Sequence, residues 1–268
     1  MKQLILIMLV LMMKYISAQT PEIIKMIPDY HSSIHGGPKQ RTIADILGNS
    51  AVLEPSRGLH FGLISAMPFG IKEISYVIGI AQWSGNSSSL ALMQYYTGNS
   101  MMKDVVSTFA YSKSWDKKVA LSVGVTYRNQ VLLESFKKSY FLGSISCKLK
   151  YTDKIYFGLQ LADLGYLNMN NDNALPISIK TGIAFMPSDP LEVTLDLISP
   201  VEQNPYVYLT FRYDLTKKMS CRLGIHSENK SAAYEVSIPI KKLTLRVGLT
   251  YHPILGISPY TMLSDNLF

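Results

Sequence analysis

The sequence predicts an all-β chain: a transmembrane antiparallel up-and-down β-barrel of about fourteen strands with an N-terminal plug segment. Three observations predict it. Beyond residue 56 the chain alternates apolar with small or polar residues at period two, strand after strand, with no helical period between. Short connections (114–117, 152–153, 188–190, 216–217, 240–242) alternate with longer ones (129–138, 163–175, 199–204, 228–231), as in a meander with tight turns at one rim and loops at the other. The composition is 47% hydrophobic and only 17% charged, whereas soluble domains carry about 25% charge. Something other than water covers much of this surface.

Residues 1–18 read as a secretory signal peptide. Lys2 precedes an apolar run from Leu4 to Met13 that is too short to cross a bilayer as a helix, and small residues precede Gln19. Residues 19–56 are rich in Pro, Gly and Ser and lack sustained alternation. They are expected to be irregular and to depend on the main domain for burial, as a plug or hatch. Residues 57–268 are expected to form the barrel.

Its strands are expected at Leu59–Ala66, Ile71–Trp83, Ser89–Tyr96, Lys103–Lys113, Lys118–Arg128, Ser139–Tyr151 and Lys154–Ala162. A hairpin follows over Pro176–Pro200, where Ile177, Ile179, Ile183 and Phe185 alternate with Ser178, Lys180, Gly182 and Ala184. After a Ser188-Asp189-Pro190 turn, Leu191, Val193, Leu195 and Leu197 alternate with Glu192, Thr194 and Asp196. Further strands are expected at Pro205–Leu215, Lys218–Ser227, Ala232–Pro239, Leu243–His252 and Ile254–Leu263.

Alternation alone also fits a soluble sandwich. The barrel follows from the number of consecutive meander strands, because an open sheet that wide leaves sticky edges and a closed one leaves none. Aromatic residues near the strand ends (Tyr76, Trp83, Tyr95, Tyr96, Tyr111, Trp115, Tyr127, Tyr140, Tyr151, Tyr206, Tyr208, Tyr213, Tyr251) are expected to form membrane-interface girdles. Phe268 at the last position agrees with a barrel.

The polar faces carry the candidate lumen-lining or ligand-binding residues: His60, Arg128, Lys180, Glu192, Asp196, Arg212, Asp214, Arg222 and Arg246. Such charges either line a substrate path or, more commonly, pair across a plugged lumen. Val131, Leu132, Leu133 and Phe136 in loop 129–138, with Tyr166 and Leu167 in loop 163–175, are candidate partner contacts. The five histidines are dispersed, with no metal-site spacing and no Gly-x-Ser-x-Gly elbow, so neither a cofactor nor catalytic residues are assigned. Cys147 and Cys221 read as small apolar residues rather than a disulfide. The net charge of +7 is scattered, unlike the basic stripe that nucleic acid requires.

Several segments resemble a known family. Thr42–Ser56, TIADILGNSAVLEPS, is similar to a segment that precedes the first strand in the FadL-like outer-membrane barrels, with Asn49-Ser50-Ala51 where Asn-Pro-Ala is usual. Phe157–Leu167 with Leu175-Pro176 and Lys180-Thr181-Gly182 resembles an internal strand pair of that family. Arg222-Leu223-Gly224, Tyr251-His252-Pro253 and Leu255-Gly256-Ile257-Ser258 resemble its closing strands. Within the family the likeness is to the PorV/PorQ group associated with type IX secretion in Gram-negative bacteria. The resemblance implies fourteen strands, an N-terminal hatch in the lumen and an outer-membrane location. It also implies a role as an accessory or partner of a secretion or surface-assembly complex. The alternative it implies is a FadL-like channel for small hydrophobic compounds. A barrel-embedded lipid hydrolase is a third reading. The expected partners are outer-membrane lipid, other secretion-complex proteins or a hydrophobic small molecule.

Overall fold

The computed structural model describes residues 48–52, 57–99, 102–116, 118–132, 136–168, 177–201, 204–216, 219–228 and 230–265. The predicted signal peptide and most of the predicted plug lie outside these residues, as does Phe268. The strands are β1 (Gly58–Ala66), β2 (Tyr76–Ser84), β3 (Ser88–Gly98), β4 (Met102–Trp115), β5 (Val119–Leu132), β6 (Phe136–Lys150) and β7 (Ile155–Asn168). They continue with β8 (Ser178–Ser188), β9 (Leu191–Pro200), β10 (Tyr206–Thr216), β11 (Met219–His226), β12 (Ser231–Ile240), β13 (Leu243–His252) and β14 (Gly256–Asp265). Each pairs antiparallel with its sequence neighbours, and β1 pairs with β14, so the sheet closes into a barrel of 14 strands. Closure leaves no edge strand unpaired.

The period-two pattern sorts the side chains as expected. Leu121, Val123 and Val125 of β5, Leu195 and Leu197 of β9 and Leu223 and Ile225 of β11 are exposed on the outside. Their neighbours Ser122, Thr194, Asp196 and Gly224 are buried inside. The β8–β9 hairpin behaves likewise, with Ile179 and Phe185 outward and Ser178 and Ala184 inward. Cys147 and Cys221 are free thiols, half-buried on the outer face.

Connections at one rim are tight, including Asp189-Pro190 and Lys241-Lys242. This turn rim also holds the start of β1 and the end of β14. The loop rim holds the longer 67–75 connection, which contains two 3-10 turns, Pro68–Gly70 and Lys72–Ile74. Here the structure corrects the sequence reading. β2 begins at Tyr76 rather than Ile71, because the Ile71 and Ser75 amides donate back to the Pro68 and Lys72 carbonyls and close turns.

The predicted loops 129–138 and 163–175 also need correction. β5 runs on to Leu132, β6 starts at Phe136 and β7 reaches Asn168. Val131, Leu132, Phe136, Tyr166 and Leu167 are therefore strand residues, because ladder pairing continues through them. Leu133 lies outside the described residues.

β7 carries the main irregularity. Its pairing with β6 slips between Phe141 and Gly143 and again between Gly143 and Ile145, and Asp163 has φ 60. Each slip is a bulge, one extra residue against the partner strand, and bulges re-aim side chains. The β7–β8 pairing ends at Ala162↔Ser178, where Ser178 Oγ donates to Asp163 Oδ2 at 3.5 Å.

Candidate functional site: the lumen

The interior has two tiers of different chemistry. Toward the loop rim, β14 and β1–β4 bring inward a contiguous apolar group: Ile64, Tyr76, Ile78, Ile80, Tyr95 and Met262 are all buried, with Met93 packed against them. The Tyr76 and Tyr95 rings lie 5.4 Å apart. On the opposite wall Ile198 packs with Tyr206. The His226 ring sits 4.7 Å from Tyr206 and 5.9 Å from Tyr208. Tyr140 on β6 completes an aromatic lining, its ring 5.9 Å from the Arg128 guanidinium.

This lining corrects the aromatic girdle. Tyr76, Tyr95, Tyr140, Tyr206 and Tyr208 face the lumen, whereas Trp83, Tyr96, Tyr111, Trp115, Tyr151, Tyr213 and Tyr251 are exposed outside. Parity held the signal, since adjacent Tyr95 and Tyr96 must point to opposite faces.

Toward the turn rim the interior is polar. Ser84, Ser89, Ser112, Ser122, Ser146 and Gln160 are successive cross-strand partners from β2 to β7, and all are buried. Asn49, Ser50 and Ala51 lie buried against this serine row. Ser50 Oγ is 2.6 Å from Ser122 Oγ, and Asn49 Nδ2 donates to the Cys147 carbonyl at 3.2 Å. The Asn49 side chain also accepts from the Ala51 amide at 2.8 Å, a local turn that asparagine readily makes.

Across the lumen the same tier is charged. Glu192, Arg212, Arg222 and Glu235 are successive partners on β9–β12. Arg246, 1% exposed, places Nη1 3.9 Å from Glu235 Oε1, and the Tyr260 hydroxyl donates to Glu235 Oε2 at 3.3 Å. Arg212 Nε lies 3.7 Å from Asp214 Oδ1.

All nine sequence-predicted lumen residues project inward. Arg212, Asp214, Arg222 and Arg246 share the charged wall with Glu192. Asp196 lies two inward positions along β9 from Glu192, and Lys180 is the cross-strand partner of Gln160 and Ile198. His60 sits apart, on β1 beside Gln82. Arg128 belongs to the other end of the interior, where Nε and Nη2 donate to the two oxygens of Asp104 at 3.0 and 2.5 Å. Sequence reasoning missed Asp104 and Glu235, the acids that answer Arg128 and Arg246.

Two inward glycines are covered by tyrosines. A Cβ on Gly224 would collide only with the Tyr208 side chain, whereas one on Gly248 would meet both Tyr260 and, at 2.6 Å, the Tyr234 carbonyl. Gly224→Ala is expected to cost about 1–3 kcal/mol, the usual overpacking range, and Tyr208→Leu to restore it. Gly248→Ala is expected to stay destabilised beside Tyr260→Leu, because the carbonyl remains. Thermal unfolding of the four variants in detergent checks both halves.

A scan against family models finds no match, and a search of curated proteins finds no significant one. Solved structures do match. The CymD monoaromatic hydrocarbon channel superposes with TM-score 0.60 at 11% identity, covering 81% of this chain and 92% of its own. The toluene transporter TodX of Pseudomonas putida gives 0.60 at 8% identity, covering 86% and 94%. The outer membrane protein Omp33 of Acinetobacter baumannii gives 0.54 at 4% identity, covering 78% and 98%. At these identities the likeness is one of architecture, and the chain has the fold of outer-membrane β-barrels.

Proposed function

We propose that the protein is an outer-membrane channel for small hydrophobic compounds, chiefly ones of aromatic size. The observation that carries this reading is the apolar and aromatic tier at the loop-rim end of the lumen. A channel for sugars or ions has no use for buried Ile64, Ile78, Ile80 and Met262 inside its wall, because porin interiors are polar. Ligand sites for apolar molecules are lined in this way, with few polar groups. The outer belt of exposed Leu, Val, Phe and Ile supports insertion in lipid. The architectural likeness to CymD and TodX supports the same class of cargo.

The polar tier then matters as a barrier. A hydrophobic molecule that enters at the loop rim meets serines, paired charges and the buried Asn49–Ala51 stretch before it reaches the turn rim. We read residues 19–56 as the plug on this basis. The exit that suits the cargo is sideways through the wall, and the β7 bulge beside Ala162–Leu164 is the place where the wall is least regular.

The secretion-partner role implied by the PorV/PorQ likeness ranks second, because the described residues offered as partner contacts, Val131, Leu132, Phe136, Tyr166 and Leu167, belong to strands of the wall. Proteoliposomes test the choice. The purified protein is expected to speed entry of toluene-sized aromatics without admitting sugars of similar mass. Sugar-driven swelling with no gain in aromatic entry would sink the proposal. Gentle extraction that brings down a large secretion complex would favour the second reading.

A further inference from the structure

We propose that the loop-rim end of the outer face of β4–β6 is a binding site for a phosphate-bearing, multiply acylated lipid of the adjoining leaflet. The inference goes beyond transport and rests only on the outer-membrane part of the reading above. β6 is the longest strand at 15 residues, and β4 and β5 follow, with β7, at 14. Their pairing continues toward the loop rim through Met102↔Leu132 and Leu132↔Phe136.

On this face the parity is fixed by buried Asp104, Arg128 and Tyr140, which point inward. Lys103 and Lys137 therefore point outward, and both are exposed. Each is the cross-strand partner of Val131, so the two lysines flank one valine about 10 Å apart, two strand spacings. Their flexible stems allow both ammonium groups to meet one phosphate between them.

Below the lysines the chemistry changes in a fixed order. The next outward row is Val105, Asn129 and Ser139, and the row after it is Ser107, Tyr127 and Phe141. The Tyr127 hydroxyl donates to Ser139 Oγ at 3.4 Å, and Ser107 Oγ donates to Gln94 Oε1 at 2.8 Å. Tyr127 and Phe141 stack with ring centres 5.0 Å apart. Further down, Phe109, Val125, Tyr111, Val123 and Ile145 are exposed and, but for the tyrosine hydroxyl, apolar.

Cations, then hydrogen-bonding groups, then an oily wall is the order in which a lipid presents its phosphate, its ester or amide linkages and its acyl chains. Ile179, Val207, Ile225 and Ile257, outward positions near the loop ends of β8, β10, β11 and β14, are apolar. A lipid phosphate fits better than a free one, because the cations stand directly above a wall that only acyl chains can cover.

The test uses the full chain in non-ionic detergent, with bisphosphorylated hexa-acyl lipid A as the probe, read by native mass spectrometry. Wild type is expected to retain the lipid. Lys103→Gln with Lys137→Gln is expected to retain it about tenfold less, from two lost contacts near the membrane surface. Lys103→Arg with Lys137→Arg should keep it. Dephosphorylated lipid A should bind as weakly as the glutamine variant shows, and inorganic phosphate should not displace the lipid. Equal retention by the glutamine variant overturns the proposal. Equal binding of the dephosphorylated lipid, or displacement by phosphate, also overturns it. An unchanged heat-dependent gel shift certifies that the variants are folded. A processed protein that stays soluble without detergent would instead sink the outer-membrane reading itself.

Discussion

Ile80→Glu is expected to cut the entry of toluene-sized aromatics by about tenfold or more while leaving the barrel assembled. Ile80 is 3% exposed in the middle of the apolar tier, with Gly62 and Met93 as its cross-strand partners. A carboxylate there brings water with it, because an unpaired charge held among apolar groups costs far more than the hydrophobic contact it replaces. The aromatic cargo then has to strip that water to pass. Lumen substitutions in barrels tune selectivity more than they break the fold. Ile80→Val is the control and should pass aromatics nearly as wild type. Solute entry into proteoliposomes measures the effect. Undiminished aromatic entry through a folded Ile80→Glu barrel would remove the apolar tier from the pathway.

Asp104→Ala is expected to destabilise the barrel by about 3–5 kcal/mol, the range for stranding one member of a buried ion pair. Asp104 and Arg128 are 4% and 6% exposed, and the guanidinium fork spans both carboxylate oxygens. Removing the acid leaves a buried cation. The Asp104→Leu, Arg128→Met double variant is expected to recover most of the loss, because replacing both charges with apolar groups removes the desolvation penalty together with the attraction. Thermal unfolding of the three proteins decides it. A double variant as unstable as the single one would mean that the fork does something more than neutralise itself.

Much of the architecture was legible because the period-two rule depends only on backbone geometry. The hairpin from Ile177 to Pro200 could be oriented at once, since Lys180, Glu192 and Asp196 mark the wet face. β2 could not be oriented that way. Its more obviously apolar side, Tyr76, Ile78 and Ile80, reads as lipid-facing, yet it lines the lumen, while Val77, Gly79, Ala81 and Trp83 face out. Periodicity separates two faces without saying which encloses the interior. Only the register with β1, which sets Ile64 opposite Ile78, decides. The same limit hid the lumen tyrosines.

Ion-pair partners were hidden for a related reason. Arg128 lies opposite Val106, and Asp104 lies opposite Gln130, so the pair is diagonal and invisible without the register. The extents of β5, β6 and β7 were under-read because Asn129, Lys137, Lys138 and Asn168 look like loop residues. They are strand residues where the wall rises past the oily belt.

The seam between β1 and β14 joins Gly62 to Ser264, partners separated by nearly the whole of the barrel's sequence. Loop closure over such a span comes late, because distant contacts carry the largest ordering cost. Until the final ribbon arrives, the growing sheet has two bare borders, each able to recruit another copy. Synthesis of this chain therefore calls for an escort that shields those borders, and a fragment lacking its last strand has no smaller barrel to retreat to.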